Sequence, residues 1–192
     1  MNFNYVKVIP NCIPRELIQY FLSLQTEETS PALIGYSDNQ KQNLDYRVTN
    51  WIPLPPEIIQ NTTNSIAGLY DSQLIDTYKQ TIKNIEPPQF LYYNVGGKYD
   101  LHNDSEDYIN NRLQRVCERD VTILIYLNDD YEGGELELPD WGVTFKPKSG
   151  TLIAFPSYIE FSHRVHPVTL GKRYTLVSWI CTNDRIYLRP YS

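Results

Sequence analysis

The sequence predicts an all-β core, an antiparallel sandwich or barrel of the jelly-roll kind, carried on a helical N-terminal support. Three observations predict it. After Gln89 the runs FLYYNV, DVTILIYLN, GELELP, VTFKP, TLIAFP, HRVHPV and RYTLVSWI follow one another, short and β-rich, with no helical pattern between them. Turn residues separate them: Gly96-Gly97, Gly133-Gly134, Lys148-Ser149-Gly150 and Gly171. Aromatic residues make up 13 % of the chain and 16 of them are tyrosines, a composition that suits strands around a half-polar cavity better than a helical bundle.

Taken in order, Tyr5 to Ile9 alternates as a short strand and stops at Pro10-Asn11. Pro14 opens an amphipathic helix, PRELIQYFLSL, whose apolar positions Leu17, Ile18, Phe21 and Leu22 share one side. From Thr26 to Asn50 the chain is polar and turn-rich, a loop with one strand expected near Tyr46 to Trp51. Pro55-Pro56 begins a second helix, and Leu74 to Ile85 is expected as a third or as its continuation after a break near Gly68 to Ser72; Pro87-Pro88 ends it. The 192 residues are enough for one domain with a real core, so residues 1–192 are expected as a single domain, with 1–89 as helical support and strands and 90–182 as the jelly roll.

The net charge of −6 and pI near 5.1 give no general attraction to nucleic acid or to an anionic membrane, and neither partner is expected. Cys12, Cys117 and Cys181 are odd in number, widely spaced and without a CxxC pair, so they read as reduced structural thiols. The N-terminus lacks a signal-peptide pattern and no 18-residue apolar stretch occurs, which together point to the cytoplasm.

The three histidines are concentrated where the strands are. His102 lies in His102-Asn103-Asp104, at the end of FLYYNVGGKYDLHND, and His163 and His166 lie in FSHRVHPVTLGKRYTLVSW. A lone histidine in a strand is ordinarily a surface or hydrogen-bonded residue, and a single H-x-D is a weak motif. Two histidines and one carboxylate on one face of a metal, with the other positions open, are however the donor set of non-haem iron(II) oxygenases. Ten residues beyond His163 comes Arg173, again in a strand. His166 stands three residues from His163, so on an extended strand the two side chains face opposite sides.

The order Y-x-x-G-x-x-Y-x-x-H-x-D (Tyr93 to Asp104), YLN followed by GGEL (Tyr126 to Leu136), and H-x-V-x-P-V with Gly-x-Arg (His163 to Arg173) resembles the prolyl 4-hydroxylase branch of the iron(II)/2-oxoglutarate-dependent dioxygenases, over roughly Phe90 to Ile180. The resemblance implies a double-stranded β-helix. It implies iron ligation by His102, Asp104 and His163, with His166 left to a supporting or surface role because the family places its basic residue nine or ten positions after the distal ligand. It implies that Arg173 binds the far carboxylate of 2-oxoglutarate, a task suited to a permanently charged, bidentate guanidinium. Lys172 is then a neighbour one position out of register. Tyr126 and Tyr93 match the family's cosubstrate-pocket tyrosines, and Thr175, two residues past Arg173, faces the same side; core packing is the plain alternative for all three. Tyr99, Arg119 and Trp179 match family residues that handle substrate, an aromatic pocket with one cation suited to a prolyl ring and peptide carbonyls. Ser105 to Glu118, polar throughout, falls where the family has a mobile loop over bound peptide; a solvated connection is the plain alternative.

The implied activity couples oxidative decarboxylation of 2-oxoglutarate, with dioxygen as partner and ascorbate as a candidate accessory, to oxygen insertion into a C–H bond of a peptidyl proline in a peptide or protein. A hydroxylase of a free amino acid or another small molecule is the alternative within the class. A non-catalytic iron- or 2-oxoglutarate-binding sensor is the alternative outside it, opposed by the intact ligand set. A nucleic-acid dealkylase is disfavoured because the second arginine such enzymes carry six residues past the first is Trp179 here.

Overall fold

The computed structural model describes residues 4–24, 30–32 and 45–186. Strand β1 (Lys7–Ile9) leads through a turn at Asn11 into helix α1 (Arg15–Ser23), which buries Ile18 and Phe21. Between them and the second helix come β2 (Ser30–Pro31), β3 (Arg47–Val48) and β4 (Asn50–Ile52). The strand expected near Tyr46 to Trp51 is therefore two short strands, β3 and β4; residues 26–29 and 33–44 of the expected loop lie outside the described residues.

Helix α2 (Pro56–Leu69) starts with Pro56 in its first turn, where a missing N–H costs nothing. The break expected near Gly68 to Ser72 is instead a π-helical turn, Tyr70–Leu74, through which the chain runs on into α3 (Ile75–Tyr78). The helix stops at Lys79, whose φ of 56° is left-handed. The remainder of the helix expected to Ile85 is a strand, β5 (Ile82–Ile85), because its backbone pairs with the far end of the last strand of the chain.

The rest is β-structure. It comprises β6 (Gln89–Tyr93), β7 (Lys98–His102), β8 (Glu106–Ile109), β9 (Arg112–Arg115), β10 (Val121–Tyr126), β11 (Glu132–Gly133) and β12 (Leu136–Leu138). There follow β13 (Val143–Phe145), β14 (Leu152–Pro156), β15 (His163–Val165), β16 (Val168–Leu170) and β17 (Arg173–Thr182). A large sheet runs β1-β14-β10-β17-β6-β4-β2, with β5 also on β17, and faces a five-stranded sheet, β13-β12-β15-β7-β3; all pairings are antiparallel, giving the jelly roll. Strands from the first 89 residues thus extend the same sheets as the later ones, instead of standing apart as a support. Among the described residues no helix is long and apolar enough to cross a membrane.

Period-two alternation divides the large sheet into two faces. Phe90, Ile123, Ile125, Leu152, Ala154, Leu176 and Ile180 pack outward against Phe21, Ile66, Tyr70 and Leu74 of the helical layer. Leu91, Tyr93, Leu124, Tyr126, Ile153, Phe155, Val177 and Trp179 point inward to Leu136, Leu138, Phe161 and Val165 between the sheets. On β17 the same alternation sends Arg173 and Thr175 inward.

Ser105 to Glu118, where the resemblance implies a mobile loop and the plain alternative is a solvated connection, is mostly a hairpin of β8 and β9. Asn110 and Asn111, at φ 51° and 60°, form the two-residue, left-handed turn that the twist of a hairpin favours. Its base is anchored: Arg115 pairs with the buried Asp120 at 3.0 Å, and the buried Glu106 accepts from Arg185 at 2.5 Å and from the Ile159 N–H at 2.9 Å.

Phe90 is fully buried where α1 meets the large sheet, with ring centroids 6.0 Å from Phe21 and 6.1 Å from Tyr174. Phe90→Ala is expected to destabilise the protein by about 3–5 kcal/mol, because the helix cannot collapse into the void. Equilibrium denaturation of the two proteins measures this, and a loss below about 1 kcal/mol contradicts it.

Candidate metal and cosubstrate site

Pairing of β7 with β15 places His102 directly opposite His163, with ring centroids 4.3 Å apart. Asp104 follows after one residue, and the available ligand atoms of His102, Asp104 and His163 lie within 4.8 Å of one another. His102 Nε2 is 3.8 Å from Asp104 Oδ1, and His163 Nε2 is 3.7 Å from Asp104 Oδ2. Each imidazole turns its Nδ1 to a backbone carbonyl, Asp100 O at 2.7 Å and Phe161 O at 3.1 Å. Nδ1–H donation to those carbonyls leaves the Nε2 lone pairs aimed at the shared point, the outer-shell arrangement that metal-binding histidines use. Burial, then the neighbouring His163, pushes His102 down to about 3, so its imidazole is neutral and able to ligate.

Asp104 is held from three directions. Its N–H donates to Ser157 O at 3.1 Å, and the Thr122 hydroxyl donates to Oδ2 at 2.6 Å. Asn103, between the two motif residues, accepts from the Ser105 and Glu106 N–H groups at 3.1 and 2.7 Å and so fixes the turn. Burial alone would raise the Asp104 carboxyl, but the two histidines, Arg119 and Thr122 outweigh it and hold it below its ordinary value. The donor set is two imidazole nitrogens and one carboxylate with a cavity on the far side, which suits a divalent transition metal bound on one face.

His166 is not part of this group. Its Nε2 lies 2.6 Å from Glu137 Oε2, beside the bidentate Arg164–Glu137 pair, and its side chain is partly exposed. The spacing argument that turned it away from His163 agrees with this placement.

The cavity beside the histidines has a volume of about 740 Å³ and extends inward to Arg173. Arg173 is 1 % exposed. Its Nη2 donates to Tyr126 Oη at 3.1 Å, its guanidinium lies over the rings of Tyr93 (4.7 Å) and Tyr126 (4.9 Å), and Nε and Nη1 have no partner among the described residues. A buried cation with two free donors is a site made for an anion. Thr175 lines the same wall, opposite Tyr126 in the sheet, whereas Lys172 is exposed and lies over Tyr92 at 5.8 Å.

Tyr99, Arg119 and Trp179 also line the cavity. Tyr99 stacks on His102 at 3.5 Å, and the Arg47 guanidinium lies 4.6 Å from the Tyr99 ring centroid. Arg119 stacks on Trp179 at 3.6 Å and forms a bidentate pair with Glu86 at 2.5 and 2.7 Å. Glu86, Arg47, Thr122 and Asn103 are the site residues that the motifs did not reveal. Thr122 had a signal, since it shares the inward period of Leu124 and Tyr126; Glu86 and Arg47 come from segments whose contact with the cavity depends on sheet pairing.

A two-histidine, one-carboxylate group inside a jelly roll, with a buried cation farther in, defines the class. Residues 88–181 match the family model of the 2OG-Fe(II) oxygenase superfamily, and this chain carries a domain of that superfamily. It is 34 % identical over 151 residues to a PKHD-type hydroxylase of Thermosynechococcus vestitus, covering 74 % of this chain and 59 % of that protein. Across three such PKHD-type relatives the matched segment spans 39 % to 59 % of their length. Among solved structures, the viral collagen prolyl hydroxylase of Paramecium Bursaria Chlorella virus-1, determined with 2OG, superposes with a TM-score of 0.67 at 21 % identity, covering 94 % of this chain and 97 % of the other. A Trichoplax adhaerens prolyl hydroxylase, in complex with a hypoxia inducible factor peptide fragment, gives 0.73 at 21 % identity over 94 % and 84 %. At these identities the structural likeness shows the fold alone.

His102→Ala, Asp104→Ala and His163→Ala are each expected to lose stoichiometric Fe(II) binding, while His166→Ala retains it. Metal analysis after anaerobic loading decides this, and retention by His163→Ala together with loss by His166→Ala reverses the assignment.

Proposed function

We propose that this protein is an Fe(II)- and 2-oxoglutarate-dependent dioxygenase that hydroxylates a peptidyl proline. The observation that carries it is one cavity with His102, Asp104 and His163 in its wall and Arg173, buried and with two free donors, at its inner end. When bound, Fe(II) and 2-oxoglutarate supply oxidative decarboxylation, to succinate and carbon dioxide, coupled to transfer of one atom of dioxygen into a C–H bond.

The side chains divide the remaining work. His102, Asp104 and His163 hold the metal on one face and leave the cavity side open. Arg173, Tyr126 and Thr175 take the far carboxylate of 2-oxoglutarate, and Tyr93 walls its carbon chain. Leu124, Leu136, Val165 and Val177 line the cavity with apolar surface and keep water away from the reacting centre. At the mouth, Tyr99 and Trp179 present aromatic faces to a prolyl ring, and Arg119 offers N–H groups to a peptide carbonyl. The Trichoplax structure with a peptide fragment supports a peptide substrate. The three cysteines are free thiols, as a cytoplasmic protein would have them.

Glu86 favours a second reading. Its carboxylate faces the same cavity from its pair with Arg119, and would suit the ammonium group of a free amino acid.

Arg173→Ala is expected to weaken 2-oxoglutarate binding by roughly 2–5 kcal/mol, because a desolvated charge pair loses one member, while Lys172→Ala changes little. Titration of the metal-loaded variants tests this, and equal losses in the two contradict it. Proline-containing peptides are expected to stimulate succinate formation and to gain one oxygen atom at proline, with free proline far less effective. Arg119→Ala and Trp179→Ala should lose peptide hydroxylation yet keep slow, substrate-free decarboxylation. A mass-spectrometric peptide screen, run beside a small-molecule panel with ascorbate present and absent, decides between the two substrates. Oxidation of free amino acids alone establishes the second, and stoichiometric 2-oxoglutarate binding with no turnover on any substrate leaves a sensor module.

A further inference from the structure

We propose that Tyr131 is a further binding residue for the far carboxylate of 2-oxoglutarate, a third side chain beside Arg173 and Tyr126. This rests on the dioxygenase function above. It also gives a purpose to the YLN and GGEL motifs, which neither the metal group nor the substrate mouth uses.

Tyr131 is 3 % exposed, and its hydroxyl, set against the Arg173 guanidinium, makes no well-aligned hydrogen bond among the described residues. An unpaired buried phenol is costly to keep unless something completes it. Beside it, Arg173 Nε and Nη1 lack partners as well. Three unsatisfied polar atoms from two neighbouring residues call for one shared ligand that can both accept and bridge, which a carboxylate does with two oxygens and about four lone-pair sites.

The closeness of the two residues is built by glycine. A Cβ on Gly134 would stand 3.0 Å from Arg173 Cδ and 3.2 Å from Tyr131 Cε2, so the stem of the arginine and the ring of the tyrosine converge over the same bare backbone. Gly171 serves the other side, where a Cβ would meet Asp130 O at 2.9 Å and Tyr131 Cα at 3.3 Å. Asn128 locks the arrangement: its Nδ2 donates to Lys172 O at 2.7 Å and its Oδ1 accepts from Tyr174 N–H at 2.8 Å, clamping the backbone on both sides of Arg173. The segment from Asn128 to Gly134 is therefore a socket around the guanidinium. Burial raises the Tyr131 phenol and the Arg173 cation pulls it back, so the hydroxyl keeps its proton and can donate it. The Tyr126 oxygen already accepts from Arg173 Nη2, which leaves its own proton to donate.

The test compares two 2-oxo acids on metal-loaded protein by calorimetric titration. 2-Oxoglutarate has both ends; 2-oxovalerate keeps the chelating end and has a methyl group in place of the far carboxylate. Tyr131→Phe is expected to raise the Kd of 2-oxoglutarate about tenfold, as for one hydrogen bond to a charged group, and to leave that of 2-oxovalerate within about twofold. A merely structural role for Tyr131 would weaken both acids alike, and that outcome, or an unchanged Kd for 2-oxoglutarate, overturns the proposal. Wild-type protein that does not prefer 2-oxoglutarate to 2-oxovalerate overturns the underlying function, and this proposal with it.

Discussion

The rest of the site depends on a single buried charge. Arg173 keeps its guanidinium at 1 % exposure with one protein hydrogen bond; burial disfavours its charge, and the surrounding tyrosines outweigh that and hold it above its ordinary value. Such a group persists because the sheet gives it no alternative: it opens β17, pairs with Tyr93 across the strand and is clamped from behind by Asn128. The cost that remains, its unpaired Nε and Nη1, is local and directed. It faces a cavity, and a bound anion removes it. Stability given up in the empty protein becomes affinity when the cavity fills.

The metal-binding end follows the opposite plan. There the polar groups are satisfied before any ion arrives: both Nδ1 atoms have backbone carbonyls, and Asp104 has Thr122. Orientation is thereby settled in advance, so binding does not have to order three side chains. The hairpin after Asp104 extends this rigidity. Its tip carries exposed Tyr108, Ile109 and Leu113, while its base is tied by Arg115–Asp120 and Arg185–Glu106. Any motion of this segment over a substrate is accordingly a motion of the tip.

Electrostatics along the cavity run in a definite sequence. Arg173 lies innermost, the carboxylate of Asp104 is in the middle, and the paired Glu86 and Arg119 stand at the mouth. The mouth is close to neutral in charge yet rich in hydrogen-bonding groups and aromatic faces.

The sequence by itself determined the strands and the inward residues, because both are encoded at short range. Alternation in DVTILIYLN and RYTLVSWI assigns a face to every residue of β10 and β17 without knowledge of their neighbours, and turn glycines mark where strands end. His102, Asp104, His163 and Arg173 were marked by the motifs that carry the family resemblance, each of which lies on one strand or turn. Tertiary structure decided what depends on pairing between distant segments. Ile82 to Ile85 has helical spacing but becomes a strand because the edge of β17 offers its backbone partners. Glu86 reaches the mouth because its N–H donates to Trp179 O and its carbonyl accepts from the Ser178 hydroxyl, and Arg47 because β3 pairs with β7. The polar run after Asp104 becomes a hairpin because two asparagines accept left-handed backbone and buried Asp120 and Glu106 anchor its base. Local periodicity chooses the face of a side chain, whereas the partner across the sheet or the cavity is chosen by contacts between residues far apart in the chain.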